Sequence, residues 1–202
     1  GDEFARRLVA MTGAKRKDAQ AEVEASIDRL FTYAAYCDKY GGEVKETPLR
    51  GVTLGLHEPL GVIGIICPDD APLLAFVSLF APAVARGNTV VVVPSERYPL
   101  SATDFYQVLE TSDLPAGVIN IVTGARDALV KTLADHDNVD AVWAFGSAAV
   151  SATVEKLSAG NMKRTWVDYG IGRDWLDAEQ GAGEDFLMEA TQVKNVWVPT
   201  GE

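Results

Sequence analysis

Residues 61–95, GVIGIICPDDAPLLAFVSLFAPAVARGNTVVVVPS, predict a strand, a helix and a second strand in succession. The run that ends at Pro68 and the run NTVVVVPS each have the length and apolar character of a strand buried on both faces. Between them, Pro72 stands near the start of an apolar helix and Gly87 follows its end, as is common at helix termini. Because parallel strands need such a crossover helix, this stretch predicts a βαβ unit.

The same alternation continues toward the carboxyl end of the chain. Further strands are predicted in the segments GVINIVTG, DAVWAFGS and KRTWVDYG, with helices in residues 99–112, 125–136 and 147–159. This rhythm predicts an α/β fold with a doubly wound, five-stranded parallel sheet of the Rossmann type over residues 61–172. Such sheets bind their ligands outside the carboxyl ends of the strands.

Helices that pack on this core are predicted within residues 1–45. The clearest is an amphipathic helix over residues 15–40, because apolar side chains recur there at steps of three and four. That apolar stripe consists of Val23, Ile27, Leu30, Phe31 and Ala34.

A small β-arm is predicted from two segments far apart in the sequence. Residues 46–60 hold one or two extended strands near 47–57, and residues 191–202 hold a final strand over 191–198. Residues 173–190 between the core and that strand are acidic and contain glycines, so they predict a crossover loop. The final strand needs a partner, which is either the segment near 47–57 or another chain.

The composition excludes several classes of function. The chain has 202 residues and a net charge of −11, which is unsuited to nucleic acid. No apolar run reaches the roughly 18 residues of a membrane span, and no signal peptide is expected from the first residues. Two cysteines and two histidines at unfamiliar spacings predict neither a disulfide framework nor a metal site. We therefore expect a cytoplasmic chain that binds neither nucleic acid nor a membrane.

The strand ends carry the candidate binding residues. Gly146 and Ser147 open a helix whose backbone N–H groups could hold a phosphate, although Ser147 could equally be a plain N-cap. Gly124 ends the third strand, where a tight turn is the alternative to a phosphate contact. Neither GxGxxG nor a P-loop is present.

The segment CPDDAP at residues 67–72 raises the question of a reactive site. Cys67 could be a nucleophile with Asp69 or Asp70 as its base. The alternative is a core thiol followed by a turn in which one of the two aspartates caps the helix that starts at Pro72. We favour the second interpretation.

Five pieces of the sequence, taken in order, resemble motifs of the aldehyde dehydrogenase superfamily. They are EPLGVIGIICP with DAPLL, ARGNTVVVVPSERYPLSA, LPAGVINIVTG, FGSAAV and MKRTWVDYGIG, which resemble the family's EPxGVxxxIxPWNFPL, AxGNTVVxKPSExTPLSA, LPxGVxNxVxG, FTGSTxVG and LKRVTLELGGK. The resemblance covers about residues 45–170, and TQVKNVWVP resembles the strand that joins subunits near the family's carboxyl end. It implies a domain derived from an NAD-binding one, in which Glu96, Gly124, Gly146 and Ser147 are the positions for a vestigial cofactor site.

Departures from those motifs imply lost chemistry. Asp70 replaces the Asn that stabilises the family's oxyanion, and Val93 replaces the Lys that contacts the adenosine ribose. Arg126 stands where a second Gly is usual, and Asp168 stands in place of the general-base Glu. About 20 residues replace the catalytic domain that carries the family's nucleophilic Cys, so we expect no catalytic residue in this segment.

These departures resemble the C-terminal, truncated module of the two-part aldehyde dehydrogenases called family sixteen. The resemblance implies a non-catalytic module that serves assembly, with the catalytic module of the same parent chain as partner and a homodimer as the expected state. The parent would be an NAD-dependent aldehyde dehydrogenase. No cofactor is expected in this segment, and the alternative is a degenerate domain that still binds NAD or another nucleotide for regulation.

Overall fold

A computed structural model describes residues 1–48 and 50–199 of the chain. The helices are α1 (Asp2–Thr12), α2 (Arg16–Tyr36), α3 (Pro72–Ala85), α4 (Leu100–Asp104), α5 (Tyr106–Glu110), α6 (Arg126–Asp135), α7 (Ala148–Ser158), α8 (Ala178–Ala182) and α9 (Asp185–Glu189). The strands are β1 (Glu43–Lys45), β2 (Val52–Pro59), β3 (Val62–Ile66), β4 (Thr89–Val93), β5 (Ile119–Ile121), β6 (Ala141–Ala144), β7 (Arg164–Val167) and β8 (Thr191–Val198). Within the described ranges, no helix combines the length and apolar character that crossing a membrane requires.

A five-stranded parallel sheet forms the centre of the fold, in the order β5-β4-β3-β6-β7. The central strand β3 pairs on both sides, so that Ile65 lies opposite Val92 of β4 and Trp143 of β6. The strand order reverses at β3, since β4 lies on one side of it and β6 on the other. This confirms the predicted doubly wound α/β fold and puts the topological switch point between β3 and β6.

Helix α3 lies between this sheet and α2. Twelve of its 14 residues are buried, because it contacts α2 as well as β3 and β4. Phe76 and Phe80 pack on the ring of Phe105, with centroids 5.7 and 5.6 Å away. A helix that is apolar all round is typical of such a central position.

A second sheet of three antiparallel strands, in the order β1-β2-β8, forms what we call the arm. β2 pairs with β8 over eight residues, from Val52 opposite Val198 to Pro59 opposite Thr191. Of the two partners left open for the final strand, the structure shows the segment near 47–57, although β2 begins at Val52 and Leu49 lies outside the described residues. The last three residues of the predicted strand region 191–202 also lie outside them.

Two predicted segments differ from the structure in detail. Residues 99–112 form α4 and α5 rather than one helix, with a turn at Phe105 whose ring is drawn into the aromatic cluster of α3. Residues 173–190 contain α8 and α9 rather than only a loop. Asp177 caps α8 by accepting hydrogen bonds from the N–H groups of Glu179 and Gln180 at 3.0 and 2.9 Å, which gives this acidic segment regular structure.

The buried face of α2 also differs from the predicted stripe. Ile27 and Phe31 are exposed, at 41% and 74% of their surface. Val23 of the predicted stripe is buried and Leu30 packs against the core, and the other buried side chains of the helix are Ala19, Ser26, Arg29 and Tyr33. Arg29 explains this orientation, because its Nη2 donates to the carbonyl oxygens of Trp175 and Asp177 at 3.0 Å each.

Candidate functional site

A cleft of about 310 Å³, which we call the crevice, opens at the carboxyl ends of β3, β6 and β7. It lies beside the switch point, where open α/β sheets bind their ligands. Its walls are formed by Pro68, Asp69, Asp70, Arg126, Phe145, Gly146, Ser147, Asp168, Gly170, Gly172, Arg173 and Trp175. Of the predicted site residues, Gly146 and Ser147 line the crevice, whereas Glu96 and Gly124 lie outside its wall.

The turn before α7 is held by hydrogen bonds within the chain. Ser147 is the N-cap of α7, and its Oγ accepts from the N–H of Val150 at 3.3 Å. Oδ1 of Asp168 accepts from the N–H of Gly146 at 3.0 Å and from that of Gly170 at 3.2 Å. Asp168 therefore joins the ends of β6 and β7, and the same carboxylate oxygen that could act as a base is bound to two backbone donors.

The turn before α6 is held in a similar way. Glu96 follows β4 and is exposed, and its Oε1 accepts from the backbone N–H of Arg126 at 3.2 Å. Arg126 is the first residue of α6, so the carboxylate of Glu96 lies at the positive end of that helix. Gly124 is exposed in the preceding turn, where an added Cβ would lie 3.3 Å from the side chain of Leu129.

A salt bridge between Asp69 and Arg126 borders the crevice. Nη2 of Arg126 and Oγ of Ser95 both donate to Oδ1 of Asp69 at 2.6 Å. Partial burial raises the pKa of Asp69, but the hydrogen bonds from Ser95 and Arg126 outweigh it and hold the pKa below its usual value. Asp69 is thus a paired anion and is unsuited to accept a proton as a general base near neutral pH.

Neither aspartate caps α3, contrary to the sequence-based expectation. The N-cap position is Ala71, a non-glycine residue with φ of 43°, and it offers no side-chain acceptor. Glu22 of α2 provides one instead, since its Oε1 accepts from the N–H groups of Leu73 and Leu74 at 2.8 and 3.2 Å. The aspartates point elsewhere because Asp69 is engaged by Ser95 and Arg126 and Asp70 is exposed.

Cys67 is a core thiol. It is fully buried at the end of β3, its N–H donates to the carbonyl of Val93, and burial raises the pKa of its thiol far above the usual value. Such a thiol stays neutral and unreactive at physiological pH. Cys37 is exposed just after α2.

Arg173 and Trp175 form the wall of the crevice beyond β7. The guanidinium of Arg173 lies over the rings of Phe145, Trp166 and Phe186, 4.8–5.3 Å from their centroids. Its Nη1 also donates to the carbonyl of Gln180 at 2.9 Å and to Asp185 at 3.2 Å. The segment after β7 is thereby fixed against the sheet by stacking and hydrogen bonds.

The side chains of Asp69, Ser147, Asp168 and Arg173 in the crevice are therefore hydrogen-bonded within the chain. Within the part of the chain that the structure describes, no three His, Cys, Asp or Glu side chains converge as metal ligands do. Sequence reasoning missed the Asp69–Arg126 pair and the role of Arg173. Arg126 was noted as a departure from glycine, and a long cation at a strand end was the signal that could have suggested the pair.

Comparison with known proteins identifies relatives of this chain. A model of the aldehyde dehydrogenase family matches residues 1–174. The NADP/NAD-dependent aldehyde dehydrogenase PuuC of Escherichia coli is 39% identical over 174 residues, which are 83% of this chain and 35% of that protein. An aldehyde dehydrogenase of Agaricus bisporus is 35% identical over 150 residues, which are 74% of this chain and 30% of that protein. The chain thus spans about a third of the length of these relatives.

Solved structures show the same likeness. The lactaldehyde dehydrogenase of Escherichia coli superposes with a TM-score of 0.79 at 27% identity, over 83% of this chain and 35% of that chain. A variant of the betaine aldehyde dehydrogenase of Staphylococcus aureus, in complex with NAD⁺, gives a TM-score of 0.78 at 28% identity, over 83% of this chain and 34% of that chain. The family match, which covers most of the sequence, and this agreement in fold show that the chain belongs to the aldehyde dehydrogenase family.

Proposed function

We propose that this chain is a non-catalytic module of a larger, NAD-dependent aldehyde dehydrogenase, and that the arm serves its assembly. By its motifs it resembles the C-terminal truncated module of the two-part, family-sixteen enzymes. Its partners in the cytoplasm are a second copy of the module and the catalytic module of the same parent chain, whose substrate site the arm helps to close.

The observation that carries this proposal is the exposed edge of the arm. β8 is an eight-residue strand at the end of the sheet order, and its free edge can pair with another strand. Val193 and Trp197 on one of its faces are 58% and 60% exposed, and Val198 on the other is 45% exposed. An edge with apolar side chains on both faces is typical of a surface that is covered in an assembly.

The state of the candidate catalytic groups supports the non-catalytic part of the proposal. Aldehyde oxidation by this family's chemistry needs a thiolate, an oxyanion donor and a base. The thiol of Cys67 is buried, Asp70 is a carboxylate where a hydrogen-bond donor is required, and Asp168 is held by two backbone N–H groups. In addition, β7 leads to the arm through only the segment that contains α8 and α9.

The test is the solution mass of the chain, measured by light scattering after size exclusion. We expect a dimer or larger species, and we expect Trp197→Lys combined with Val193→Lys to reduce it to the monomer of 21.7 kDa. Met162→Lys is the matched control, because Met162 is 90% exposed but lies outside the arm. A wild-type chain that stays monomeric at high micromolar concentration would contradict the proposal.

The second candidate is a regulatory nucleotide site in the crevice. Gly146 and Ser147 face the cleft at the N-terminus of α7, and a structurally similar relative was solved with NAD⁺. Calorimetric titration of the chain with NAD⁺ and NADH into the millimolar range tests this candidate. Saturable binding supports it, and no binding by a folded chain leaves the assembly role alone.

A further inference from the structure

The Asp69–Arg126 salt bridge crosses the carboxyl ends of three adjacent strands. Asp69 follows β3, Ser95 follows β4, and Arg126 begins the helix after β5. The hydroxyl of Ser95 and the guanidinium of Arg126 meet at one carboxylate oxygen of Asp69, each 2.6 Å away. A single polar junction therefore spans one half of the carboxyl edge of the sheet.

Glu96 makes a second contact of the same kind beside it. Its carboxylate accepts from the backbone N–H of Arg126 at the start of the ten-residue helix α6. A guanidinium and a helix N-terminus are the two kinds of group that proteins commonly offer to phosphates. In this protein, both groups are provided by the start of α6 and both already carry a carboxylate from the chain itself.

We propose that Asp69 and Glu96 act as internal substitutes for a phosphate on the β4–β5 side of the sheet edge and thereby exclude a dinucleotide such as NAD⁺. The side chain of Arg126 is only 14% exposed, and its Nη2 is already paired with the carboxylate of Asp69. The open space of about 310 Å³ is left on the side of β3, β6 and β7. This inference concerns the carboxyl edge of the sheet and does not depend on the arm or on the proposed assembly.

The inference is tested by a single substitution that replaces a charged side chain with an uncharged one and should restore binding of NAD⁺. Asp69→Asn keeps the size of the side chain and an oxygen that can accept from Ser95, but it removes the charge that holds Arg126. We expect the full chain to show no saturable binding of NAD⁺ in the millimolar range, and the variant to bind at least about tenfold more tightly, which corresponds to about 1.4 kcal/mol. Adding Arg126→Gln to Asp69→Asn should remove the gain.

Asp70→Asn is the matched control. Asp70 lines the same crevice, and its substitution by Asn removes the same negative charge. Within the described residues, however, Asp70 forms no ion pair with Arg126. Equal gains in NAD⁺ affinity for the two variants would show a general charge effect and overturn the inference. Submillimolar binding of NAD⁺ by the wild type would also overturn it, and so would a folded Asp69→Asn variant that gains no affinity. If that variant does not unfold cooperatively, Asp69→Ser replaces it under the same criteria. The solution mass of each sample shows separately whether the arm functions in assembly.

Discussion

Glu22 illustrates how one side chain in a distant helix can replace a missing cap. Ala71 has no acceptor to offer, so the first N–H groups of α3 depend on the carboxylate from α2. We expect Glu22→Ala to lower the free energy of unfolding by about 1 kcal/mol, as the loss of an N-cap does. Urea unfolding at neutral pH measures this cost.

Glu22→Gln is the informative partner of that substitution, because its amide oxygen can still accept both hydrogen bonds. Burial raises the pKa of Glu22, although the two backbone hydrogen bonds oppose it. A raised carboxyl pKa stabilises the fold most below the pKa of the unfolded chain, and this stabilisation is lost as pH rises through the folded pKa. The stability advantage of wild type over Glu22→Gln should therefore decline across weakly acidic pH. An advantage that grows with pH would contradict this assignment.

The two cysteines should differ sharply in reactivity. Cys37 is exposed, whereas Cys67 is fully buried with a raised thiol pKa. Iodoacetamide should therefore label the native chain once and the unfolded chain twice, as counted by mass spectrometry. Cys37→Ser should leave the native chain unlabelled, and labelling of Cys67 in that folded variant would disprove its assignment as an inert core thiol.

Residue roles near the site were predictable only where they are local. The cap at Ser147 involves Val150, three residues away, so sequence spacing suggested it as an alternative to phosphate binding. Asp69 and its partner Arg126 are 57 residues apart in the sequence, and no periodicity connects them. Nothing at residues 69–72 indicated that the cap of α3 comes from α2.

At the scale of elements, Arg29 of α2 helps to hold the segment after β7 in place. Its guanidinium is buried and donates to the carbonyls of Trp175 and Asp177, just before α8. Arg29→Met should remove the donor to the carbonyl of Trp175 and one of the two donors to that of Asp177, which also accepts from the N–H of Gly181, and should lower the free energy of unfolding by about 2–3 kcal/mol. Arg16→Met, at the exposed start of the same helix, is the control. Equal stability of the two variants in urea would contradict the assigned role.

Elements with strong apolar patterns were predicted best. The five strands of the parallel sheet are short apolar runs ended by Pro, Gly or Asp, and all five were expected. α8 and α9 were missed because each has five residues, too few to show a helical period, and their order comes from the Asp177 cap and from burial of Phe186 and Leu187. The buried face of α2 was predicted only in part, because the buried Arg29 turns Ile27 and Phe31 toward solvent while Val23 stays buried.

At the scale of the whole molecule, the βα rhythm predicted the parallel sheet because handedness and connection rules leave few alternatives, whereas the strand order and its switch point came from the structure. The arm was predicted as two segments in need of partners, and the structure pairs them with each other. The alternation of strands and helices could not predict that side chains of the chain itself occupy part of the carboxyl edge of the sheet. That property arises from side-chain contacts between strand ends, which follow only once the strand order is fixed.

The position of α3 has a consequence for synthesis on the ribosome. This helix buries 12 of its 14 residues, and the strand before it has a neighbour, β6, that is translated much later. At about 5–20 residues per second, the start of β6 follows the end of α3 by roughly 3–11 seconds. During that interval β3 has an unpaired edge where β6 later binds, although α2 and β4 are already made and can cover α3. The chain is therefore expected to bind a chaperone as it emerges from the ribosome, even though β6 covers that edge in the finished fold.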